Sequence, residues 1–458
     1  MSDGLHLELQ GKRVAVVGFG RSGQSALRLL TAMGAHVAVA DQKPASELTA
    51  IMTGLTEIPV EVFGDGQYEQ ALHGSELVLV SPGVPMALPS LKAALNRGIR
   101  IIGEAELASR YLSSPLIAVT GTNGKSTTVT LIGELLSASG FDAFVGGNLG
   151  TPLADAALAS LEGHRWDFVV AEVSSFQLET IETFHPWIGA ILNITPDHLD
   201  RYPSLKDYAA AKARLFENQT AEDFCIMNAD DAGLLKFPPA SLGTPIRFSR
   251  TKDVTAGVFV QGEAVMTNLR QELEEVIRIT ELQIRGTHNL ENVMAATTVA
   301  LLAGCPMSTI QRTLREFRGL EHVMEVVRIV RGVTYINDSK GTNVDATVKA
   351  LESLSGPVIL IAGGREKGGE YPGLVEAVRG KAKHIILIGE ARVRLRELLK
   401  EAAVVSEAGS LAEAVRQAAS LAVAGDTVLL SPVCASFDMF LDYKDRGRQF
   451  KGRVHELA

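Results

Sequence analysis

Apolar residues along this chain fall into short runs separated by stretches of helical periodicity, and that alternation predicts an architecture before any single residue is considered. Lys12 to Gly18 is a β-branched run that ends in glycine. A helical pattern through Leu30 follows, and then a second run, His36 to Ala40. Strand, glycine turn, helix and strand make a βαβ unit. Runs at Leu77–Val80 and Ile99–Ile102 continue the alternation, which reads as a doubly wound sheet.

The punctuation resets at Ser113-Ser114-Pro115. A run from Leu116 to Val119 leads into a glycine-rich loop and an apolar helix from Ser126 to Ala138. Strands are predicted at Phe168–Val173 and Gly189–Ile194, an alanine-rich helix around Tyr208–Phe216, a strand-rich section over 244–285 and a helix from Asn289 to Ala303. After Phe317-Arg318-Gly319-Leu320 the alternation starts a third time, with strands at Thr334–Ile336, Val358–Ala362, His384–Ile388 and Thr427–Leu430. No low-complexity segment or short repeat interrupts these three successive α/β units.

Composition fits that division. A chain of 458 residues is expected to form roughly three domains at about 150 residues each. A formal net charge of −9 argues against nucleic acid or an anionic membrane as the main partner, so an anionic substrate must be held by local cations. Cys225, Cys305 and Cys434 are far apart and show no CxxC spacing, which suggests neither a disulfide framework nor a zinc site and fits a reducing cytoplasm. The N-terminus lacks the pattern of a signal peptide, and no 18-residue apolar stretch follows. A soluble, cytoplasmic monomer without membrane insertion is expected.

Candidate chemistry begins at Thr120-Gly121-Thr122-Asn123-Gly124-Lys125-Ser126-Thr127. Glycines at a strand-to-helix turn let backbone N–H groups converge on phosphate oxygens while a lysine reaches the outer phosphates. Lys125 is that lysine, and Ser126 or Thr127 offers a hydroxyl to Mg²⁺. The usual G-x-x-x-x-G-K-[ST] spacing fails, because Val119 stands where its first glycine belongs. An earlier loop, Gly18-Phe19-Gly20-Arg21-Ser22-Gly23, matches G-x-G-x-x-G, with Asp41 ending the next strand. By itself that loop suggests NAD, another phosphate ligand, or only a tight turn. Glu172 ends one predicted strand and Asp197-His198 follows the next. Carboxylate and imidazole at adjacent strand ends above a phosphate loop suit a Mg²⁺–nucleotide site. Lys212, among small neighbours, could be drawn out of water, although a solvated helix lysine is the plainer reading.

Taken together these motifs, with Ser174-Ser175-Phe176-Gln177-Leu178, Ser81-Pro82-Gly83, Gly146-Gly147-Asn148-Leu149-Gly150, His288-Asn289-Leu290-Glu291-Asn292, Asn337-Asp338-Ser339-Lys340-Gly341-Thr342-Asn343 and Ser431-Pro432-Val433-Cys434-Ala435-Ser436, resemble the Mur ligase family along the whole chain. The resemblance implies an α/β fold of three domains. These are a Rossmann-like UDP-sugar domain over 1–112, a P-loop ATPase-like domain over 113–318 and a Rossmann-like amino-acid-positioning domain over 319–458. It also implies ATP-dependent addition of D-glutamate to UDP-N-acetylmuramoyl-L-alanine through an acyl phosphate, in peptidoglycan precursor synthesis.

By the same resemblance Lys125, Glu172, His198 and Lys212 are catalytic. Ser126 and Glu172 hold one Mg²⁺, and His198 with a carbamate formed on Lys212 holds a second. ATP meets Gly121 to Thr127, Asn289, Asn292 and Asp338. The UDP-sugar and the amino acid meet Gly20, Arg21, Ser22, Gln42, Lys43, Ser81, Asn148, Ser174, Lys340, Thr342, Lys367, Ser436, Phe437 and Tyr443. The chain departs from common relatives at Val323, where an arginine is usual near the nucleotide, and at Arg21 and Tyr443. Three readings compete. A sister ligase adding another amino acid shares these motifs. Folylpolyglutamate synthetase shares the central loop but lacks the first domain. An NAD-dependent oxidoreductase leaves Lys125, Glu172 and His198 without a task, and a non-catalytic nucleotide-sensing module has no need of the full set of metal and phosphate groups. Three domains sharing one reaction should also close on their ligands, the C-terminal one rotating onto the central one.

Overall fold

The computed structural model describes residues 7–53, 55, 59–148, 150–199, 201–270, 272–284, 286–366, 371 and 373–457. Three sheets carry the fold. The first is built from β1 (Arg13–Val17), β2 (His36–Ala40), β3 (Glu61–Phe63), β4 (Leu77–Val80) and β5 (Arg100–Gly103). Its order is β3-β2-β1-β4-β5, and every pairing is parallel, the doubly wound arrangement that the early alternation predicts.

The second sheet contains β6 (Leu116–Thr120), β7 (Ala143–Gly147), β8 (Phe168–Glu172), β9 (Ile188–Ile191), β10 (Phe224–Asn228), β11 (Thr244–Ser249), β12 (Gly257–Gln261), β13 (Ala264–Arg270) and β14 (Glu272–Arg278). Its order, β14-β13-β12-β11-β10-β9-β6-β8-β7, puts β6 between β9 and β8, so the loop after β6 opens at the centre of the sheet. The third holds β15 (Glu325–Val330), β16 (Val333–Asn337), β17 (Val358–Gly363), β18 (Ala382–Ile388), β19 (Val404–Glu407) and β20 (Thr427–Leu430). It runs β15-β16-β20-β17-β18-β19 and is parallel apart from β15.

The interior strands are continuous apolar runs because both of their faces are covered. Leu116 and Ala118 of β6 enter one core cluster and Ile117 and Val119 the other, as the two-residue period of a strand requires. Val358 and Leu360 of β17 separate from Ile359 and Ile361 in the same way. Several strands escape the sequence pattern. β3, β7, β15 and β19 lie at sheet edges, where one exposed flank dilutes the apolar run. β10 is interior but short, with a single β-branched residue among Phe224-Cys225-Ile226-Met227-Asn228. The predicted strand Gly189–Ile194 stops at Ile191, and the expected helix near Tyr208–Phe216 is an α-helix over Leu205–Ala213 followed by a 3-10 turn, Arg214–Phe216.

One apolar cluster runs from the first sheet into the second, joining Phe19, Leu29 and Leu107 to Leu153, Leu178 and Phe184. Glu106 reinforces the same junction, accepting from the backbone N–H groups of Glu182 (2.9 Å) and Phe184 (2.9 Å) and from the Thr183 hydroxyl (2.7 Å). The core clusters of the third sheet contain no residue of the second. Its contacts with the phosphate loop are polar.

Candidate active site

The phosphate loop is shaped by the strand that feeds it. Val119 is buried inside β6, paired with Glu172 on one side and Ala190 on the other, so the strand continues through the position of the missing first glycine. The turn itself needs glycine. Gly124 has φ +85°, and a Cβ there would lie 2.1 Å from Asn292 Oδ1. The helix Lys125–Ala138 follows with no side-chain cap on its first turn, which leaves N-terminal N–H groups and the positive end of the dipole aimed at the loop. Asn193, just after β9, braces the turn from below. Its Oδ1 accepts from Asn123 N–H (2.8 Å) and its Nδ2 donates to Asn123 O (3.1 Å).

A cavity of about 280 Å³ opens over this loop, lined from the second sheet by Thr122 to Thr127, Asn148, Glu172, Asp197, His198, Asn289 and Asn292. From the third sheet come Asp338, Lys340, Thr342 and Tyr443. Fifteen of the sequence-predicted residues therefore meet in one space. Glu172 is its electrostatic centre. Oε2 accepts from Ser126 Oγ at 2.5 Å and Oε1 from Asn148 Nδ2 at 2.8 Å. Burial raises the cost of its charge, but Lys125, Lys340 and these two hydrogen bonds outweigh that and hold the carboxyl below the usual carboxylate range. It is an anion at neutral pH. Ser126 Oγ also accepts from the Lys340 ammonium. Two hard oxygen donors with a cation already against one of them fit a small divalent ion.

Lys125 Nζ donates to the carbonyls of Gly121 and Thr122, both at 2.8 Å. Lys212 is 1 % exposed and reaches the loop from the opposite side, donating to Gly121 O at 2.9 Å. It stands 4.6 Å from the centre of the Tyr208 ring. Burial, with help from the Lys125 charge, pushes its pKa well below the ordinary lysine value against the pull of Asp197 and Glu172. The solvated lysine of the plainer sequence reading is thus corrected to a buried amine, because small neighbours let its helix pack close to β6. His198 flanks the same tyrosine at 6.4 Å between ring centres and contacts the Phe176 ring at 4.8 Å. Its φ of +55° turns the backbone sharply after β9, a conformation that histidine adopts more readily than most residues.

Four further cavity residues escape the sequence reading. Asn193 follows its strand directly. His288 precedes the predicted Asn289; burial pushes it down to about 4, and its Nδ1 is buried without a hydrogen-bond partner. Lys349, paired with Asp345 at 3.0 Å, and Met324 enter from the third domain beside Val323. Asp338 is pushed up to about 7 by burial and accepts from Ser431 Oγ at 2.7 Å.

Other candidates lie apart. Ser436 is buried and Phe437 is 65% exposed, and neither lines this cavity; Ser174 caps the short helix Ser175–Leu178. Lys367 falls outside the described residues. Gly20, Arg21, Ser22, Gln42, Lys43 and Ser81 belong to the first sheet. There Asp41 braces the glycine turn, accepting from the N–H groups of Phe19 (2.6 Å) and Lys43 (3.1 Å). Ser81 Oγ donates to Gly18 O at 2.7 Å. Arg21 crosses to donate to Gly150 O, and Asn148 in that same turn bonds Glu172, so a continuous polar line joins the first glycine loop to the cavity.

This geometry is that of a three-sheet α/β protein with a glycine-rich strand-to-helix loop facing a cavity lined from its second and third units. Three family descriptions cover the chain: "Mur ligase MurD-like, N-terminal domain" over residues 12–103, "Mur ligase middle domain" over 119–300 and "Mur ligase, glutamate ligase domain" over 324–434. The chain belongs to the Mur ligase family. It is 43% identical over 450 residues to the UDP-N-acetylmuramoylalanine--D-glutamate ligase of Syntrophotalea carbinolica, covering 98% of this chain and 99% of that relative. It is likewise 43% identical over 453 residues to the enzyme of that name from Trichlorobacter lovleyi, covering 98% and 100%. Among solved structures, a pseudomurein peptide ligase type C from Methanothermus fervidus superposes with a TM-score of 0.61 at 19% identity over 97% of this chain and 100% of that one. MurF ligase from Thermotoga maritima in complex with ADP gives 0.60 at 16% over 98% and 97%. These likenesses establish the fold. No described helix is long and apolar enough to cross a membrane.

Proposed function

We propose that this chain joins D-glutamate to UDP-N-acetylmuramoyl-L-alanine with ATP, a cytoplasmic step in peptidoglycan precursor synthesis. The observation that carries the reading is the meeting of Lys125 and Glu172 with Lys340, Thr342 and Tyr443 in one cavity, in a chain that matches D-glutamate ligases from end to end. Residues 1–112 hold the uridine nucleotide through Gly20, Arg21, Ser22, Gln42 and Lys43. Residues 113–318 hold ATP, and 319–458 bring the amino acid.

The γ-phosphoryl group passes to the substrate carboxylate. A P–O bond forms to the carboxylate oxygen, the bond to ADP breaks, and an acyl phosphate results. The amine of D-glutamate attacks the acyl carbon, loses a proton, and inorganic phosphate leaves. Such transfer needs positioning and charge neutralisation more than covalent help. Lys125 turns from its loop carbonyls to the outer phosphates, while Asn289, Asn292 and Asp338 orient the nucleotide. Mg²⁺ adds positive charge at the transferring phosphoryl group when bound. Ser126 and Glu172 would hold one ion, and His198 with the carbamate of Lys212 the other. Lys212 suits carbamate formation because its amine is buried and its pKa is held well below the ordinary lysine value, which favours the neutral form that is nucleophilic toward CO₂. Asn148 and Ser174 guide the sugar-peptide from Ser81 toward Glu172. Lys340, Thr342, Lys367, Ser436, Phe437 and Tyr443 serve the glutamate side.

The test is phosphate release with UDP-N-acetylmuramoyl-L-alanine and single amino acids. D-Glutamate is expected to support turnover. If L-lysine, meso-diaminopimelate or L-alanine does so instead, a sister specificity replaces this one.

A further inference from the structure

We propose that in the free protein the Lys340 ammonium occupies the place of a divalent cation beside Ser126 and Glu172, so that metal loading exchanges one cation for another. The inference rests on the reading of Ser126 and Glu172 as metal ligands and concerns what holds their place before loading.

Two contacts carry it. Lys340 Nζ donates to Ser126 Oγ, which donates in turn to Glu172 Oε2 at 2.5 Å. The ammonium therefore lies within two hydrogen-bond lengths of the carboxylate, bound to the atom a metal would need. A buried carboxylate calls for a counter-charge nearby, and Glu172 is 4% exposed. Asn148 satisfies the other oxygen at 2.8 Å but brings no charge. Lys125 Nζ donates to the loop carbonyls of Gly121 and Thr122, and its charge acts on Glu172 together with that of Lys340.

The cation is delivered by the third domain. Lys340 follows β16, and its own N–H is fixed to His322 O at 3.1 Å. Two more hydrogen bonds join the same segment to the loop: Asn123 Nδ2 to Asp345 Oδ2 at 2.6 Å and Asn343 Nδ2 to Asn123 Oδ1 at 3.1 Å. No core cluster is shared between the second and third domains, so polar ties of this kind hold the loop side of that junction. Displacing Lys340 from Ser126 removes the one in which a cation is the donor. The third domain is then free to carry the ammonium to the substrate, and an enzyme without nucleotide and metal keeps its anionic centre covered.

The experiment is a titration of the full-length protein with Mn²⁺ alone, followed by electron paramagnetic resonance, for wild type, Lys340→Met, Lys340→Gln, Lys340→Arg and the double variant Lys340→Met with Glu172→Gln. Intrinsic fluorescence from Trp166 and Trp187 checks that each is folded. Both uncharged variants should bind Mn²⁺ about tenfold or more tightly, the order expected for removing a unit charge within roughly 5 Å of a buried carboxylate. Lys340→Arg should not, and the gain should vanish in the double variant. Unchanged or weaker Mn²⁺ binding in both Lys340→Met and Lys340→Gln overturns the proposal. A gain that survives Glu172→Gln instead overturns the assignment of Glu172 as a metal ligand.

Discussion

Replacing Lys212 by methionine should alter how stability depends on pH more than stability itself. The side chain is 1 % exposed and donates to Gly121 O at 2.9 Å, and burial lowers its pKa well below that of a free lysine. Methionine has a similar volume and no proton to gain or lose. Removing the amine costs about 1 kcal/mol for the hydrogen bond to the Gly121 carbonyl, offset by no longer burying an ionisable group. Between the lowered folded pKa and the unfolded value the unfolded chain binds more protons, so wild-type stability rises with pH and the gain is complete at the unfolded pKa. The slope from one such group is about 1.4 kcal/mol per pH unit. Across that window wild type should therefore gain stability on Lys212→Met as pH rises, at about 1.4 kcal/mol per pH unit. Guanidinium unfolding in buffers freed of CO₂, followed through Trp166 and Trp187, measures this, since both tryptophans lie in the second domain. Taking the difference between the two proteins cancels groups common to both. Bicarbonate should then stabilise wild type by mass action and leave the variant unmoved. Parallel pH curves for the two proteins would refute the reasoning, because they would mean that the folded amine is protonated.

Lys125→Ala should lower the rate of D-glutamate-dependent phosphate release by at least about 10²–10³-fold, with an unchanged unfolding midpoint. Lys212→Ala should abolish ligation, and acetate or bicarbonate should restore part of it by supplying a carboxylate; failure of every small acid would count against the carbamate. Glu106→Ala should cost about 3–5 kcal/mol in guanidinium unfolding, because it removes the closer of the two carboxylates that pair with the buried Arg110, Glu182 being the other, and leaves the N–H groups of residues 182–184 unpaired. Although burial opposes its charge, hydrogen bonds from Glu182 and Thr183 and the Arg110 charge keep this carboxyl below its ordinary range. Its contribution is thus present above the unfolded carboxylate pKa and lost as pH falls through the lower, folded one. Asp338 has the opposite sign. Pushed up to about 7 by burial, it makes stability fall as pH rises from the ordinary carboxylate range toward 7, a fall that Asp338→Asn should lack.

Much of the site was legible because its parts are local. A glycine loop between strand and helix, a carboxylate at a strand end and a histidine after the next strand are spacing patterns, set by φ/ψ demands and by the two-residue and 3.6-residue periods. Edge strands such as β15 and β19 were not legible, since half of each faces solvent. Lys212 was ambiguous for a related reason: nothing in Ala209-Ala210-Ala211-Lys212 says whether its helix packs against β6 or points to water. The missing first glycine of the phosphate loop looked like a defect in sequence and proves to be an added residue of strand, because Val119 is held in register on both sides.

By itself, then, the order of residues determined three α/β units, the loops that close them and the kinds of side chain at their strand ends. Which of those side chains meet was decided by tertiary structure. Ser126 reaches Glu172 only because β8 lies beside β6, and Asn123 meets Asp345, 222 positions away, only because the third domain rests against the loop. The lowered pKa values of Glu172 and Lys212 and the cation at Ser126 follow from those meetings, since desolvation and short-range charge depend on neighbours in space that no local spacing encodes.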